Sequence, residues 1–344
     1  MKKKKVLILG GAGFIGLGIA NFLGQNRDYE ITIADIFSEG QKDSEFDKTI
    51  SNYNINIIEG DFTDFSSFMK LNDSYDYVYM LASVVGVNRC IEEPHEVIRI
   101  NTSLIQNSLK WISESNIGKV LFSSSSECYS STTEDFNFLI PTSEDVPLSI
   151  SDISHPRFTY AATKILGESA FLSYGKKIKF PVTIIRYQNI YGPRMGFKHV
   201  IPHLVERFYE CTENPFKIYG AEQTRAFCYI SDASHGTVLA MENSLSDQQI
   251  YHIGSSVEIS IEELTKTVGK LMQFKGKYKI APTYPGSVSR RCPDITKSIN
   301  ELRYRPKVHW KDGLKEAVSW YLNYFNSKLP IPSGGFKSPQ DLLY

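Results

Sequence analysis

Short, mainly apolar runs recur along the first half of the chain and alternate with patterns of helical spacing. Six such runs, of four to six residues each, stand at 6–9, 31–34, 55–58, 77–81, 119–122 and 182–187. Runs of this length are typical of strands buried on both faces of a parallel sheet. Between them, apolar residues recur at helical spacing, most clearly over 94–115. The alternation predicts an α/β fold built on a doubly wound parallel sheet.

The first apolar run leads directly into a turn that carries three glycines. Gly10, Gly13 and Gly16 follow the run at 6–9, and a helical pattern begins within the turn. In this context Gly10 permits a tight turn, Gly13 lets the backbone approach phosphates, and Gly16 lets the helix pack closely against the strand. The helix N-terminus adds unpaired N–H groups and a positive dipole end. The spacing therefore predicts a Rossmann-type site for a dinucleotide pyrophosphate.

Two acidic residues follow the second and third predicted strands. Asp35 stands nineteen residues after Gly16, where a carboxylate accepts hydrogen bonds from the adenosine ribose and repels a 2′-phosphate. Residues 36–37 offer no Arg to receive such a phosphate, so we expect NAD rather than NADP. Asp61 either accepts a hydrogen bond from the adenine amino group or caps a helix predicted over 64–71. The sequence leaves both interpretations of Asp61 open.

Hydroxyl groups and a lysine follow the fifth strand and open a later helix. Four serines stand at 123–126, and Tyr160 precedes Lys164 by four residues, which places both on one face of a helix predicted over 160–174. A phenol with a pKa of about 10 is a poor base at neutral pH. A lysine ammonium one turn away, together with a positive nicotinamide ring, favours the phenolate. The pattern predicts a tyrosine base assisted by a lysine and a serine.

Composition excludes several classes of protein. Lys and Arg number 38, Asp and Glu number 38, and the formal net charge is zero, which argues against a nucleic-acid partner. No run of eighteen apolar residues exists and no signal peptide is visible, so we expect no membrane association. The five cysteines show neither metal-ligand spacing nor a disulfide framework. We therefore expect no metal and a cytoplasmic location.

Together these features resemble the extended short-chain dehydrogenase/reductase family. The resemblance rests on the glycine turn, Asp35, Asp61, the serine-ended strand, the Tyr160/Lys164 pair and the run Asn-Ile-Tyr-Gly-Pro-Arg at 189–194. Within the family, the chain is most similar to the NAD-dependent nucleotide-sugar epimerases, dehydratases and decarboxylases. The resemblance extends over nearly the whole chain and implies NAD as the cofactor and a nucleotide sugar as the substrate.

The resemblance also implies how the chain is divided. We expect an NAD-binding Rossmann domain at 1–187, mainly a smaller substrate-binding lid at 188–328 with possible returns to the sheet, and an irregular tail at 329–344. The elements predicted within the lid are a short hairpin or edge element within 217–232 and helices near 234–243, 261–272 and 312–326.

Individual residues take roles from the same resemblance. The catalytic residues that it implies are Ser125, Tyr160 and Lys164, with Glu127 as a second acid/base or as a hydrogen-bonding group. The substrate-binding residues are Ser126, Asn189, Arg225 and Arg291, of which the two arginines clamp the diphosphate with their guanidinium forks. The implied cofactor contacts are Gly10, Gly13, Phe14, Ile15, Gly16, Asp35, Asp61, Phe62, Leu81, Ala82, Asn101, Tyr160 and Lys164. For Asn101, the alternatives are that it braces the active site or that it is a polar residue facing a partner.

The reaction is less clearly indicated than the family. Its members share oxidation of a sugar hydroxyl, usually at C4. Dehydratases carry Asp-Glu after the catalytic Ser/Thr, whereas here Ser126 and Glu127 follow Ser125, as in UDP-glucuronate decarboxylases. Segments 85–87 and 200–202 instead resemble epimerases. We expect an epimerase first, a UDP-glucuronate-type decarboxylase second, and a net 4-dehydrogenase or 4,6-dehydratase third.

Two further expectations concern the oligomeric state and a non-catalytic alternative to the enzyme. The helices predicted over 94–115 and 160–174 carry more apolar positions than contact with one sheet requires. In the family these helices form a four-helix dimer interface, so we expect a homodimer. A non-catalytic NAD-binding regulator is the alternative from another class, and the presence of both Tyr160 and Lys164 argues against it. The sequence identifies neither the nucleotide nor the sugar.

Overall fold

The computed structural model describes residues 2–38, 42–129, 131–132, 136, 138–210, 214–283 and 288–327. Its strands are β1 (Lys4–Leu9), β2 (Tyr29–Asp35), β3 (Asn56–Glu59), β4 (Ser74–Met80), β5 (Asn116–Ser125), β6 (Val182–Tyr187), β7 (Ile190–Tyr191), β8 (Phe216–Tyr219), β9 (Thr224–Ala226), β10 (Cys228–Tyr229), β11 (Gln249–Ile253), β12 (Glu258–Ser260), β13 (Tyr278–Ala281) and β14 (Arg290–Arg291). Its α-helices are α1 (Phe14–Gly24), α2 (Ser44–Tyr53), α3 (Val87–Glu92), α4 (Pro94–Glu114), α5 (Thr159–Ile178), α6 (Val200–Glu210), α7 (Ile230–Glu242), α8 (Ile261–Leu271), α9 (Thr296–Leu302) and α10 (Trp310–Asn326).

The central sheet has seven strands in the order β11–β6–β5–β4–β1–β2–β3, and all neighbouring strands are parallel. This confirms the predicted doubly wound α/β fold. The strand order reverses between β1 and β4, and such switch points open a crevice at the carboxyl edge of the sheet. The register brings Leu9 beside Met80 and Ser125 beside Tyr187 at that edge.

Alternate side chains of each strand enter two different apolar cores, because successive side chains of a strand point to opposite faces. On one face Val6 and Ile8 pack among residues of α1 and α7. On the other face Leu7 and Leu9 pack among residues of α4 and α5, including the fully buried Phe171. The continuous apolar runs in the sequence thus reflect burial on both sides of the sheet.

The C-terminal part of the chain folds over the carboxyl edge with a core of its own. Helices α6, α8 and α10 share an apolar cluster that includes the fully buried Tyr321. This part also returns to the sheet, since β11 pairs with β6 as the seventh strand.

Two local expectations, a short hairpin or edge element within 217–232 and a helix over 64–71, are resolved by the structure. The segment within 217–232 forms short strands rather than a hairpin: β8 pairs with the distant β13, and β9 is the middle strand between β12 and β14. The helix predicted over 64–71 is a 3-10 helix, Phe65–Lys70. The tail at 329–344 lies outside the described residues. None of the helices in the described ranges is long and apolar enough to cross a bilayer.

Candidate active site

The turn between β1 and α1 is shaped so that parts of it accept only glycine. Gly10 has a φ of +83°, and a Cβ added there would lie 2.5 Å from the backbone nitrogen of Ala82. A Cβ on Gly16 would lie 2.4 Å from the carbonyl oxygen of Gly10. At Gly13 the only close neighbour of an added Cβ is the Gly10 oxygen, at 3.4 Å. Packing within the protein therefore demands Gly10 and Gly16, while Gly13 lines open space.

That open space fits a dinucleotide pyrophosphate. Gly13 is the N-cap of α1 and has no side chain to bond the first N–H groups of the helix, so these groups face the turn. Phe14 and Ile15 begin the helix, and their side chains pack against the core, which leaves their backbone N–H groups for a phosphate. Leu81 and Ala82 close the other side, since both of their amides donate to the Leu9 carbonyl at 2.9 Å.

Asp35 ties the glycine turn to the end of β2. One carboxylate oxygen accepts from the Ala12 amide at 2.9 Å and the other accepts from the Phe37 amide at 2.8 Å. Burial raises the pKa of Asp35, although these amides act in the opposite direction. The carboxylate therefore lies beside the pyrophosphate cradle, where the sequence predicts the adenosine ribose.

Asp61 lies at the carboxyl end of β3 and bonds only locally in the described structure. Its carboxylate accepts from the Thr63 amide at 2.9 Å and from the Thr63 hydroxyl at 2.7 Å. The N-cap of the following 3-10 helix is Asp64, so the capping alternative for Asp61 is wrong. Phe62 is buried against Phe68, and its side chain belongs to the core.

Asn101 braces the loop that follows β4 against α5. Its side-chain oxygen accepts from the Val84 amide at 2.7 Å and from the Ser83 hydroxyl at 3.2 Å. Its side-chain nitrogen donates to the Val84 carbonyl and to the Thr163 hydroxyl, both at 3.1 Å. Thr163 precedes Lys164, so these contacts favour the bracing interpretation of Asn101.

Tyr160, Lys164 and Ser125 lie together at the edge of the sheet. The Lys164 ammonium donates to the Ser123 carbonyl at 2.8 Å and lies 5.6 Å from the centre of the Tyr160 ring. Burial lowers the pKa of Lys164 to about 8. Burial also raises the pKa of Tyr160, while a hydrogen bond with Ser125 lowers it in part. Burial therefore opposes ionisation of the phenol, and the expectation that Lys164 and the nicotinamide ring together favour the phenolate stays a prediction.

The serines at the end of β5 have separate roles. Ser123 holds Lys164 through its carbonyl, and the Ser124 hydroxyl donates to Glu168 at 2.5 Å. The Ser125 hydroxyl accepts from the Glu127 amide at 3.2 Å, and Ser126 is buried. Within the part of the chain that the structure describes, the Ser125 hydroxyl is the one that hydrogen-bonds Tyr160, and its catalytic role stays a prediction.

Glu127 is surrounded by arginines from three parts of the chain. Arg291 Nη1 lies 2.5 Å from a Glu127 carboxylate oxygen. Burial raises the pKa of Glu127, but Arg291, Arg157 and Arg225 lower it, and the net shift is downward. Glu127 is therefore held as an anion. Sequence reasoning missed Arg157, whose position three residues before Tyr160 was the available signal.

The two arginines predicted to bind the diphosphate lie on neighbouring strands. Arg225 on β9 is the direct register partner of Arg291 on β14. The Arg225 guanidinium is buried and donates to the Thr224 carbonyl at 2.8 Å and to the Val288 carbonyl at 2.7 Å. Asn189 donates to the carbonyl of Ala226 at 3.3 Å. The structure thus brings together Asn189, Arg225 and Arg291 beside Glu127.

A buried ion pair beneath the site was not predicted. Glu168, one helical turn after Lys164, binds Arg186 through two N–O contacts of 2.6 and 2.8 Å. Both side chains are almost fully buried. The i,i+4 spacing of Lys164 and Glu168 on one helix face was a usable signal, but nothing local pointed to Arg186.

Comparison with known proteins identifies the family. A sequence model of the NAD dependent epimerase/dehydratase family matches residues 6–254. UDP-N-acetyl-alpha-D-glucosaminuronate decarboxylase from Bacillus cytotoxicus is 35% identical over 329 residues, which cover 93% of this chain and 98% of that protein. dTDP-D-glucose 4,6-dehydratase from Homo sapiens is 28% identical over 341 residues, with coverage of 94% and 91%.

Solved structures agree with this grouping. UDP-N-acetylglucosamine 4-epimerase from Methanobrevibacter ruminantium, in complex with UDP-N-acetylmuramic acid, superposes with a TM-score of 0.80 at 26% identity, covering 94% of this chain and 100% of that one. A mutant of UDP-glucuronic acid 4-epimerase from Bacillus cereus, in complex with a fluorinated UDP-sugar and NAD, gives 0.81 at 26% identity, covering 93% and 99%. The chain belongs to the NAD-dependent epimerase/dehydratase family of enzymes, with NAD as its cofactor.

Proposed function

We propose that this enzyme oxidises a nucleotide-linked uronic acid at C4 and releases its carboxyl group as CO₂. The observation that carries the proposal is the anionic Glu127 held by Arg291, with Arg157 and Arg225 nearby. Arg291 binds this carboxylate and the other two arginines lower its pKa, so guanidinium groups converge where a substrate with a diphosphate and a carboxylate would lie. The similarity to the UDP-N-acetyl-alpha-D-glucosaminuronate decarboxylase of Bacillus cytotoxicus supports the same choice.

In this mechanism Tyr160 is the base and Ser125 shares the C4 oxygen. NAD⁺, when bound, would accept the hydride from C4 and later return it, and its positive ring together with the Lys164 ammonium would favour the Tyr160 phenolate. The phenolate takes the proton of the C4 hydroxyl as the carbonyl forms. The Lys164 ammonium, which donates to the Ser123 carbonyl, orients the Tyr160 side chain.

The 4-keto group then permits decarboxylation. The C5–C6 bond breaks, CO₂ leaves, and the electron pair forms an enolate across C5 and C4. C5 takes up one proton from water, which restores the ketone, and Tyr160 returns its proton to the C4 oxygen when the ketone is reduced. The lowered pKa of Glu127 makes it a poor proton donor, so we assign it the role of hydrogen-bond acceptor and partner of Arg291.

Epimerisation at C4 is the second candidate function. It needs the same oxidation by Tyr160, followed by reduction on the other face of the sugar without loss of CO₂. The structural similarity to UDP-glucuronic acid 4-epimerase from Bacillus cereus, at a TM-score of 0.81, favours this candidate.

The discriminating experiment supplies purified protein with UDP-glucuronate, UDP-N-acetylglucosaminuronate and their neutral counterparts. We expect CO₂ and either a UDP-pentose from UDP-glucuronate or its 2-acetamido counterpart from UDP-N-acetylglucosaminuronate, detected by NMR, from one of the acidic sugars only. An epimer without CO₂ supports the second candidate, and a released 4-keto sugar with accumulated NADH indicates net oxidation. Absence of turnover on all four sugars contradicts the proposal.

A variant pair tests the role of the phenol. Tyr160→Phe is expected to abolish turnover while the protein still binds NAD, since only the hydroxyl is removed. Tyr174→Phe changes an exposed tyrosine on the same helix and is expected to retain full activity. Turnover by Tyr160→Phe at the wild-type rate would exclude the phenol as the base.

We also propose a homodimer in the cytoplasm. The outer faces of α4 and α5 expose large apolar side chains, namely Ile98, Leu166, Tyr174 and Ile178, and the two helices contact each other. A second copy of the same pair would cover them in a four-helix interface. Sedimentation should show a dimer at micromolar concentration and a monomer for Leu166→Glu, whereas a wild-type monomer would refute the proposal. The described cysteines are buried free thiols, which suits a reducing compartment.

A further inference from the structure

A buried chain of hydrogen bonds connects the catalytic helix with the segment that carries Arg291. It starts at Glu168 on α5, whose carboxylate holds Arg186 on β6. Arg186 then donates its Nη1 to the hydroxyl of Tyr129. The Tyr129 hydroxyl contacts His252 Nε2 at 2.7 Å, and His252 Nδ1 lies 2.9 Å from the Asp294 carbonyl oxygen.

The donors and acceptors define a single direction for this chain. A guanidinium only donates, so the Tyr129 oxygen accepts from Arg186. The Tyr129 hydrogen is then free for His252 Nε2, and the other ring nitrogen donates to the Asp294 carbonyl. Burial lowers the pKa of His252 to about 3, so the ring is neutral, as this direction requires.

The position of Tyr129 gives the chain its significance. Tyr129 ends the short 3-10 helix Ser126–Tyr129, which carries Glu127. The carbonyl at the other end of this series of hydrogen bonds belongs to Asp294, three residues after Arg291. The Tyr129 hydroxyl, acting through the His252 ring, therefore connects the two segments whose side chains form the Glu127–Arg291 ion pair.

The surrounding contacts also hold the segment that follows Arg291, together with His252 and Arg186. The Thr142 amide donates to the Cys292 carbonyl at 2.9 Å, and the Asp294 amide donates to the Thr142 carbonyl at 2.8 Å. Glu144, two residues further, accepts from the His252 amide through its side chain and from Arg186 through its carbonyl, both at 2.9 Å. Arg186 is therefore the common anchor of this network.

We propose that Tyr129 is a positioning residue that holds the Glu127–Arg291 pair in place relative to Tyr160 and Lys164. The proposal rests on the function proposed above. It predicts that the hydroxyl of Tyr129 matters for the step after C4 oxidation, in which the substrate's acidic group lies against the ion pair, and much less for the oxidation itself.

The test is Tyr129→Phe, which removes one oxygen and keeps the ring. In single-turnover experiments with the uronate substrate, we expect NADH to form at close to the wild-type rate. Formation of the final product should fall by about tenfold, because small misplacements of reacting groups cost this much or more. NADH and 4-keto sugar should therefore accumulate.

The control is Tyr304→Phe, which removes another buried hydroxyl, one that donates to the Gly254 carbonyl at 2.9 Å. It is expected to leave both steps at wild-type rates. His252→Gln cuts the link to Asp294 from the other side and should show the same split as Tyr129→Phe. It decides the question if Tyr129→Phe does not fold.

If Tyr129→Phe carries out both steps at the wild-type rates, or slows both steps by the same factor, the positioning role is overturned. If the wild type produces an epimer instead of CO₂, the same comparison is made on the epimer, and the proposed decarboxylation alone fails. If the wild type turns over no nucleotide sugar, both the proposed function and this inference fall.

Discussion

Replacing Glu168 with alanine leaves the Arg186 guanidinium buried without its counter-charge. The wild-type pair makes two N–O contacts, at 2.6 and 2.8 Å, and its side chains are 5% and 3% exposed. Removing one partner of a buried pair costs about 3–5 kcal/mol, because the remaining charge has lost both water and its partner. We expect Glu168→Ala to reduce the free energy of unfolding by this amount.

The corresponding change in Tm follows from chain length. At about 2.1 cal/mol/K per residue, the 344 residues give an unfolding entropy of about 0.7 kcal/mol/K. A loss of about 3–5 kcal/mol then lowers the Tm by about 4–7 °C, which differential scanning calorimetry resolves. The double variant Glu168→Met with Arg186→Met should recover part of the loss, since it removes both charges and keeps the volume but leaves the Tyr129 hydroxyl and the Glu144 carbonyl without Arg186.

The matched control is an exposed ion pair of the same length. Lys266 and Glu262 on α8 lie 2.6 Å apart, with side chains 52% and 36% exposed. Such i,i+4 pairs contribute about 0.3–0.5 kcal/mol, so Glu262→Ala should lower the Tm by less than about 1 °C. If both alanine variants lower the Tm by the same amount, the argument from burial is refuted.

Three further predictions concern the cofactor turn and the catalytic lysine. Gly13→Ala should leave the Tm of the cofactor-free protein unchanged. It should weaken NAD binding by about tenfold or more, because contacts with the phosphates are lost. Unchanged NAD affinity by titration calorimetry would contradict the assignment of this turn as the pyrophosphate site. Gly16→Ala should lower the Tm even without NAD, since its Cβ would lie 2.4 Å from the Gly10 oxygen. Burial lowers the pKa of Lys164 to about 8 from 10.5, so the ammonium is lost as pH rises through that value. The kcat should therefore fall above about pH 8, and a flat profile would show that the cation is not needed. The pKa of Lys164 is lower in the folded protein than in the unfolded chain. Burial of the charged lysine therefore reduces the free energy of unfolding below pH 8, and this cost is relieved as pH rises from 8 to 10.5.

Local sequence patterns were sufficient to predict those features that depend on a single strand, turn or helix. Continuous apolar runs predicted the strands, because the central strands are buried on both faces. The spacing of Gly10, Gly13 and Gly16 predicted the turn, and the four-residue spacing of Tyr160 and Lys164 predicted a shared helix face. None of these inferences required knowledge of which distant segment packs nearby.

Local patterns failed where the partner was distant in sequence. The segment of β8 was expected as a hairpin or edge element, but β8 pairs with β13, about sixty residues later. The Glu127–Arg291 ion pair joins residues 164 positions apart. Arg186 gave no sign of Glu168 as its partner, because a buried arginine in a strand does not reveal its counter-charge.

The parallel α/β sheet, the dinucleotide turn and the tyrosine–lysine pair could be predicted because each is encoded by periodicity or spacing within a single strand, turn or helix. The arginines that act on Glu127, and the burial that raises the pKa of Tyr160, became apparent only in the folded protein. Ion pairing and desolvation depend on the complete packing around a group. That packing brings together strands and helices that are far apart in the chain.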